Sequence, residues 1–272
     1  TSHYLGTSFA SAAGIHYQDK EGQQQLCHTT SWGTSTRMIG GVVMTHGDDD
    51  GLRVPPRIAP HQIIILPMLR DKPEDEAVLD YCEEVRKSLA GLSAMGEPVR
   101  ALLDKTPGKA AAKRWNWVKK GAPVIVEVGP RDMENGKVAV LRRDALWNME
   151  TGKPAMAFTP RDEFANGAAG LLEDIQAALF NEAKERRDAK ITRGLTDWHD
   201  VVNSFRKGGK YPGWVEVQWA RPTSAELEAV VEKLKAEKLT FRNVPREGEP
   251  ADGVCIFSGK PAVERILIAR AY

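Results

Sequence analysis

Lys113-Arg-Trp-Asn-Trp-Val-Lys-Lys-Gly-Ala-Pro-Val-Ile-Val-Glu-Val-Gly-Pro-Arg-Asp132 is the stretch that decides the fold. Its first eight residues read as the end of a basic helix running from Lys109 to Lys120. A turn follows, then Pro123 to Val128 reads as a buried strand, short and rich in β-branched residues. A Gly-Pro-Arg-Asp corner closes the stretch. Helix, buried strand and corner in this order are one step of an alternating α/β arrangement.

The flanks carry the same alternation. Upstream, Ile63 to Met68 reads as a strand. Glu74 to Leu89 is helical, with Ala77, Val78, Tyr81, Cys82, Val85 and Leu89 in the i, i+3, i+4 rhythm. Val99 to Leu103 is a second strand. Downstream, Asn135-Gly136 turns the chain into a strand from Lys137 to Leu141. Glu163 to Lys190 is a long helix with Leu172, Ile175, Leu179 and Ala183 on one face. Residues 58–191 are therefore expected to form an α/β domain with a mixed sheet covered by helices. Residues 192–210 read as a linker ending in Lys207-Gly-Gly-Lys210. A small α+β unit completes residues 192–272. It has a strand at Trp214 to Trp219, a helix from Ala225 to Lys238 capped by Thr223 or Ser224, and a last strand at Arg265 to Ala269. Residues 1–57 read as strands and loops. Met38 to Met44, with adjacent glycines, fits a central strand or a helix, and periodicity does not choose. Gly47-Asp-Asp-Asp-Gly51 and Pro55-Pro56 break regular structure.

Composition narrows the class. The chain is 42% hydrophobic and 28% charged, as in a globular protein, and its net charge is +1, so nucleic acid would be held by local basic patches. No apolar run approaches the ~20 residues that cross a bilayer. Three scattered cysteines, Cys27, Cys82 and Cys255, form no C-x-x-C pair and fit a reducing cytoplasm. The first residues show neither an initiator Met nor a signal pattern and read as a cut end of a larger protein. The histidines downstream of His3 lack ligand spacing. The Asp48-Asp49-Asp50 run lacks the alternating ligands of a calcium loop and reads as turn chemistry.

Thr30-Ser-Trp-Gly-Thr-Ser-Thr-Arg37, followed by His46-Gly-Asp-Asp-Asp-Gly-Leu52 and Val54-Pro-Pro-Arg57, resembles motif 3 of class II aminoacyl-tRNA synthetases in its prolyl form. Thr1-Ser-His3 with Tyr4-Leu-Gly6 resembles a second prolyl signature. The resemblance implies that residues 1–57 are the C-terminal part of a class II catalytic domain, a partial β-sheet segment. It implies that Arg37 is the catalytic arginine on the nucleotide, a planar and permanent cation suited to phosphates. Thr1 and Ser35 would contact ATP beside it. His3, Trp32 and Gly33 would border a proline pocket, an imidazole beside an aromatic wall. The opening 20-residue stretch resembles the anticodon-binding domain of the same enzymes, which implies a mixed five-stranded sheet in residues 58–191. Lys113, Arg114, Lys119, Lys120 and Arg131 would neutralise tRNA phosphates. Trp115 or Trp117 would stack a splayed base, and Asp132 would read one. The bland alternatives are a solvated basic face and buried tryptophans.

Two positions depart from the family. Val118 and Ile125 stand where a Glu and an Arg normally help read the two guanines of the proline anticodon. The tail from Cys255 to Tyr272 resembles the extra C-terminal domain of the eukaryote-like and archaeal-like branch. There four cysteines can hold zinc. Only Cys255 remains, with Phe257, Ala220 and Ala225 at the other positions, so no zinc is expected. Terminal Tyr272 would fold back toward the active site. The resemblance as a whole implies a proline–tRNA ligase using ATP and Mg2+ to charge tRNA-Pro with L-proline, in the cytoplasm, as a homodimer through the catalytic domain. Neither DNA nor a membrane is expected as a partner. Motifs 1 and 2 are not in this chain, so by itself it is expected to be inactive in adenylation. The alternatives are a non-catalytic tRNA-binding module or truncated paralogue, and, more weakly, a sibling synthetase such as the threonyl enzyme.

Overall fold

The computed structural model describes residues 2–70, 72–207, 213–245 and 250–271. The readings placed on Thr1, on the Gly-Gly segment before Lys210 and on Tyr272 lie outside the described residues. The chain divides into two compact units, Thr1–Gln176 and Ala177–Tyr272.

The first unit opens with β1 (Ser2–Gly6), α1 (Ser8–Ala13), β2 (His16–Gln18), β3 (Gln24–Leu26), β4 (Thr29–Trp32) and α2 (Arg37–His46). β1 pairs antiparallel with β4, and β2 with β3. Two helices here correct the reading of strands and loops. The ambiguous segment from Met38 to Met44 is helical despite Gly40 and Gly41, which each cost about 1 kcal/mol in a helix. In this opening segment, residues 2–47, only Ala10 is buried.

Then come β5 (Ile63–Pro67), α3 (Asp75–Ala90), β6 (Ser93–Ala94), β7 (Glu97–Pro98), β8 (Ala101–Leu103), α4 (Ala110–Lys120), β9 (Val124–Val128), α5 (Pro130–Glu134), β10 (Lys137–Arg142), β11 (Trp147–Asn148), β12 (Lys153–Pro154), β13 (Ala157–Pro160) and the start of α6 (Arg161–Asp188). A five-stranded mixed sheet has the order β13-β10-β9-β5-β8; the alternation predicts four of its strands, and β13 is the one it did not mark. β5 runs parallel to both β8 and β9, while β10 runs antiparallel to β9 and β13. β5 and β9 are buried on both faces, which is why their sequences are nearly unbroken apolar runs. One face carries α4 against Ile64, Leu66, Ile125 and Leu141. Val78, Cys82, Val85 and Leu89 form the buried stripe of α3, which packs on β5 and β8. β8 starts two residues later than expected, because the Val99 N–H is taken by the Leu92 carbonyl.

Gly121 ends α4 in the left-handed region, φ +79°, with its N–H turned back to Trp117 and Val118 carbonyls. α5 starts with Pro130 at its first position, and the Asp132 carboxylate accepts the Gly129 N–H at 2.9 Å.

The second unit holds the rest of α6, then β14 (Ile191–Thr192), α7 (Trp198–Lys207), β15 (Trp214–Trp219), α8 (Ser224–Ala236), β16 (Leu239–Phe241) and β17 (Glu264–Arg270). Its sheet order is β14-β15-β17-β16. α7 corrects the linker reading of residues 192–210. Its Val201 and Phe205 are buried in the unit's core with Val215, Val217, Leu234 and Ile268. Thr223 caps α8 in a reciprocal capping box with Glu226.

Candidate nucleic-acid interface

The residues read as nucleotide- and proline-binding sit on the β1–β4 ribbon and the start of α2. Arg37 is the first residue of α2 and exposed, and its side chain has no hydrogen-bond or ion-pair partner among the described residues. A free guanidinium at a helix start beside Ser35 has the donor chemistry a polyphosphate requires. The ribbon pairs Ser2 with Trp32 and His3 with Ser31. Directly opposed residues share a face and neighbours alternate. His3 and Trp32 therefore leave opposite faces, and the ribbon alone does not set the imidazole beside the indole. Trp32 is 77% exposed. On this ribbon it is His28 that meets an aromatic ring, stacked on Tyr4 with centroids 5.8 Å apart and its Nδ1 2.5 Å from the Tyr4 hydroxyl.

The next segment is clamped to α4. Leu52 N–H donates to the Lys119 carbonyl and Val54 N–H to that of Gly121, each at 3.0 Å. Asp48 closes a turn by accepting the Asp50 N–H. Its carboxylate also takes two bonds from Arg143, at 2.8 and 2.5 Å. Arg143 is 2% exposed and also donates to the Val118 carbonyl. Burial raises the Asp48 carboxyl less than the Arg143 bonds lower it, so it lies below the ordinary carboxylate range. Asp50 accepts from Trp147 Nε1 at 2.7 Å. The acidic run is thus turn chemistry and, in addition, a clamp onto the sheet domain. Sequence reading missed Arg143 and Trp147, which lie in a segment with no marked pattern.

Within the 113–132 stretch, the side chains split into distinct jobs. Val118 and Ile125 are sealed in the core, 0% and 1% exposed. Lys113 is a strut: its ammonium lies 3.2 Å from the Asp104 carboxylate and donates to the Asp104 and Thr106 carbonyls. Trp117 donates Nε1 to Asp104 at 2.8 Å and packs on the core, with the Lys120 ammonium 4.6 Å from its ring. Burial pushes Asp104 up, but bonds from Thr106, Trp117 and Lys113 outweigh it and hold the carboxyl at about 2. Trp115 meets Trp147 at 5.6 Å, and Trp147 keeps 38% of its surface exposed. Trp115 and Trp117 are both half-buried, and Trp147 is the exposed ring of the three. Lys119, Lys120 and Arg131 are exposed. Arg114 reaches the Glu127 carboxylate at 3.3 Å.

In the second unit, Cys255 is buried. Phe257 packs on Trp198, Trp219 and Phe241 with centroids 5.3, 5.6 and 6.3 Å away. Ala220 also packs on this core, whereas Ala225 is exposed on α8. Asp197, His199 and Asp200 bring ligand atoms within 4.8 Å of one another, all exposed. Among the described residues no helix is long and apolar enough to cross a membrane.

Residues 62–153 match the family described as Anticodon binding domain. Over all 272 residues the chain is 62% identical to the proline–tRNA ligase of Erythrobacter litoralis, covering 53% of that protein. The proline–tRNA ligase of Novosphingobium aromaticivorans gives the same identity and coverage. That of Paramagnetospirillum magneticum is 41% identical over 276 aligned positions, with 52% of it covered. Along its whole length the chain is similar to the C-terminal half of proline–tRNA ligases. It spans about half the length of the curated relatives it matches. The anticodon-binding match covers α3, α4 and four strands of the five-stranded sheet, β5, β8, β9 and β10, and stops before β13.

Proposed function

We propose that this chain is the C-terminal half of a synthetase that activates L-proline with ATP and Mg2+ and transfers the prolyl group to tRNA-Pro. Residues 1–57 contribute to the catalytic domain, 58–191 bind the anticodon, and 192–272 form a zinc-domain-like module without zinc. The observation that carries the reading is the 62% identity to a proline–tRNA ligase along all 272 residues of this chain, together with the anticodon-binding match inside it. Arg37, Ser35 and Thr1 serve the nucleotide; His3, Trp32 and Gly33 serve proline. Lys119, Lys120 and Arg131 hold tRNA phosphates, and Lys113 and Trp117 act from behind by shaping α4. The apolar side chains left open on the first segment, among them Met38, Ile39 and Met44, support its being one wall of a larger unit. The complete enzyme would work in the cytoplasm as a dimer through its catalytic domain.

The test is a binding titration of this chain with a fluorescent stem–loop RNA carrying the proline anticodon. Binding that exceeds that of a scrambled loop, and weakens as salt rises, is expected. Trp147→Ala should weaken it by about tenfold, the worth of one stacked base. Equal affinity for both loops sinks the anticodon reading. With the upstream half joined to it, the chain should support proline-dependent pyrophosphate exchange, and Arg37→Ala should abolish it. Exchange by the 272 residues alone would overturn the division of labour.

A further inference from the structure

α2 carries Arg37 at one end and an attachment to the sheet domain at the other. None of its residues is buried, Gly40 and Gly41 stand in its middle, and Thr36 at its start makes no side-chain capping bond. Neither a core nor an N-cap fixes this helix, so its C-terminal end does the holding. There the Gly47 N–H donates to the Val43 carbonyl at 2.8 Å. Arg53 donates Nε to the His46 carbonyl at 3.0 Å, a cation at the negative end of the helix dipole. The same Nε lies 3.7 Å from the Asp48 carboxylate.

Asp48 continues the connection. It exchanges backbone bonds of 2.9 and 3.2 Å with Gly51 in a tight turn. That turn lies directly on α4: a Cβ on Gly51 would stand 2.7 Å from the Lys119 carbonyl oxygen. Arg143 locks the turn from the sheet side. Its backbone N–H donates to the Pro123 carbonyl, just before β9. Its Nε donates to the Val118 carbonyl in the last turn of α4, and its two terminal nitrogens donate to the two Asp48 carboxylate oxygens. One guanidinium thus commits all three nitrogens to joining α4 to the residue two places beyond α2. The Arg143 side chain is 2% exposed, so water competes little for these bonds. A buried ion pair adds little net stability over apolar packing of the same volume. What a planar, bidentate fork adds is direction, because it admits one placement of Asp48 relative to α4.

The length of α2 sets what this placement controls. Nine helical steps separate Arg37 from His46, about 14 Å along the axis. A tilt of roughly 10° at the His46 end carries Arg37 through about 2 Å, more than a positioned group tolerates.

We propose that Arg143 is a positioning residue for the nucleotide site: through Asp48 it fixes α2 on α4 and so aims Arg37. The inference rests on Arg37 serving the nucleotide, as proposed above. Arg143 itself touches no substrate.

The experiment has two arms, and thermal melts accompany each variant. In this chain, hydrogen exchange of the α2 amides is compared among wild type, Arg143→Gln and Asp48→Asn. Both substitutions should speed exchange in α2 about tenfold, the worth of one hydrogen bond to a charged group, and leave β5 and β9 unchanged. With the upstream half joined, pyrophosphate exchange gives separate KM values for ATP and proline. Each substitution should raise the KM for ATP about tenfold and leave that for proline unchanged. Mere loss of folded protein lowers kcat and moves neither KM. The double variant should match the worse single one, because both break one link. Asp48→Asn keeps an oxygen for the Asp50 N–H and carries the test if Arg143→Gln does not fold. Wild-type α2 exchange in the folded variants, an unmoved KM for ATP, KM values for ATP and proline that rise together, or additive effects in the double variant each overturn the positioning role and leave the synthetase reading standing. Joined wild-type protein without proline-dependent exchange overturns both.

Discussion

Asp104 shows how one side chain at a strand end organises a helix. Its carboxylate takes bonds from the Thr106 hydroxyl, the Thr106 N–H and the Trp117 indole, and Lys113 stands beside it. The consequence is acid sensitivity with a definite sign. The folded carboxyl titrates at about 2 against an ordinary 3.8. Its contribution is therefore fully present above pH 3.8 and is lost as pH falls through about 2. Asp104→Asn should lower stability at pH 7 and flatten the acid limb between these values, measured by urea unfolding at a series of pH. An unchanged limb would remove Asp104 from the account. At this scale the sequence was legible for charge type and poor for partnership. Lys113 and Trp117 were visible as a cation and an indole, but the carboxylate that holds both lies nine or more residues upstream. Nothing in Leu103-Asp104-Lys105 marks it. Arg143 was equally silent, because its partner Asp48 is 95 residues away.

Elements were read best where periodicity and burial agree. α3, β5, β9 and the mixed sheet were legible because both flanking faces are covered, so the apolar pattern repeats without gaps. α2 and α7 were not. α2 is seven near-continuous apolar positions, a length at which helix and strand look alike. α7 follows a polar segment and precedes a glycine pair, and only its burial of Val201 and Phe205 reveals it. The junction between the first segment and α4 rests on backbone contact. A Cβ on Gly121 would stand 2.5 Å from the Leu52 carbonyl oxygen and 2.9 Å from the Val54 nitrogen. The residue also sits at positive φ. Gly121→Ala should destabilise the first unit by at least about 2 kcal/mol, combining left-handed strain with overpacking. Denaturant unfolding followed by tryptophan fluorescence reads this directly; a loss below ~0.5 kcal/mol would mean the segment peels away from α4 at little cost.

At the scale of the whole molecule, each compact unit has its own apolar core, whereas residues 2–47 have almost none. The second unit's core is closed by rings: Phe257 stands among Trp198, Trp219 and Phe241, next to buried Cys255. Phe257→Ala should cost about 2–3 kcal/mol in that unit, the lower end for a phenylalanine that is only partly buried. Its melting midpoint should not respond to chelator. A drop in midpoint on chelation would reinstate a metal. The similarity to proline–tRNA ligases was legible because the motifs that carry it are spread over nearly all 272 residues; the candidate site was less so, since the side chains around it are joined by folding rather than by spacing. The Asp48–Arg143 clamp and the Gly51–Leu52–Val54 run along α4 bear on where the sheet domain can be cut and regrafted. An anticodon unit cut at the proline pair after Val54 would leave behind the counter-charge of a buried guanidinium and the strand of backbone that closes α4. A graft into another scaffold travels as a working part only if its splice point lies before Asp48.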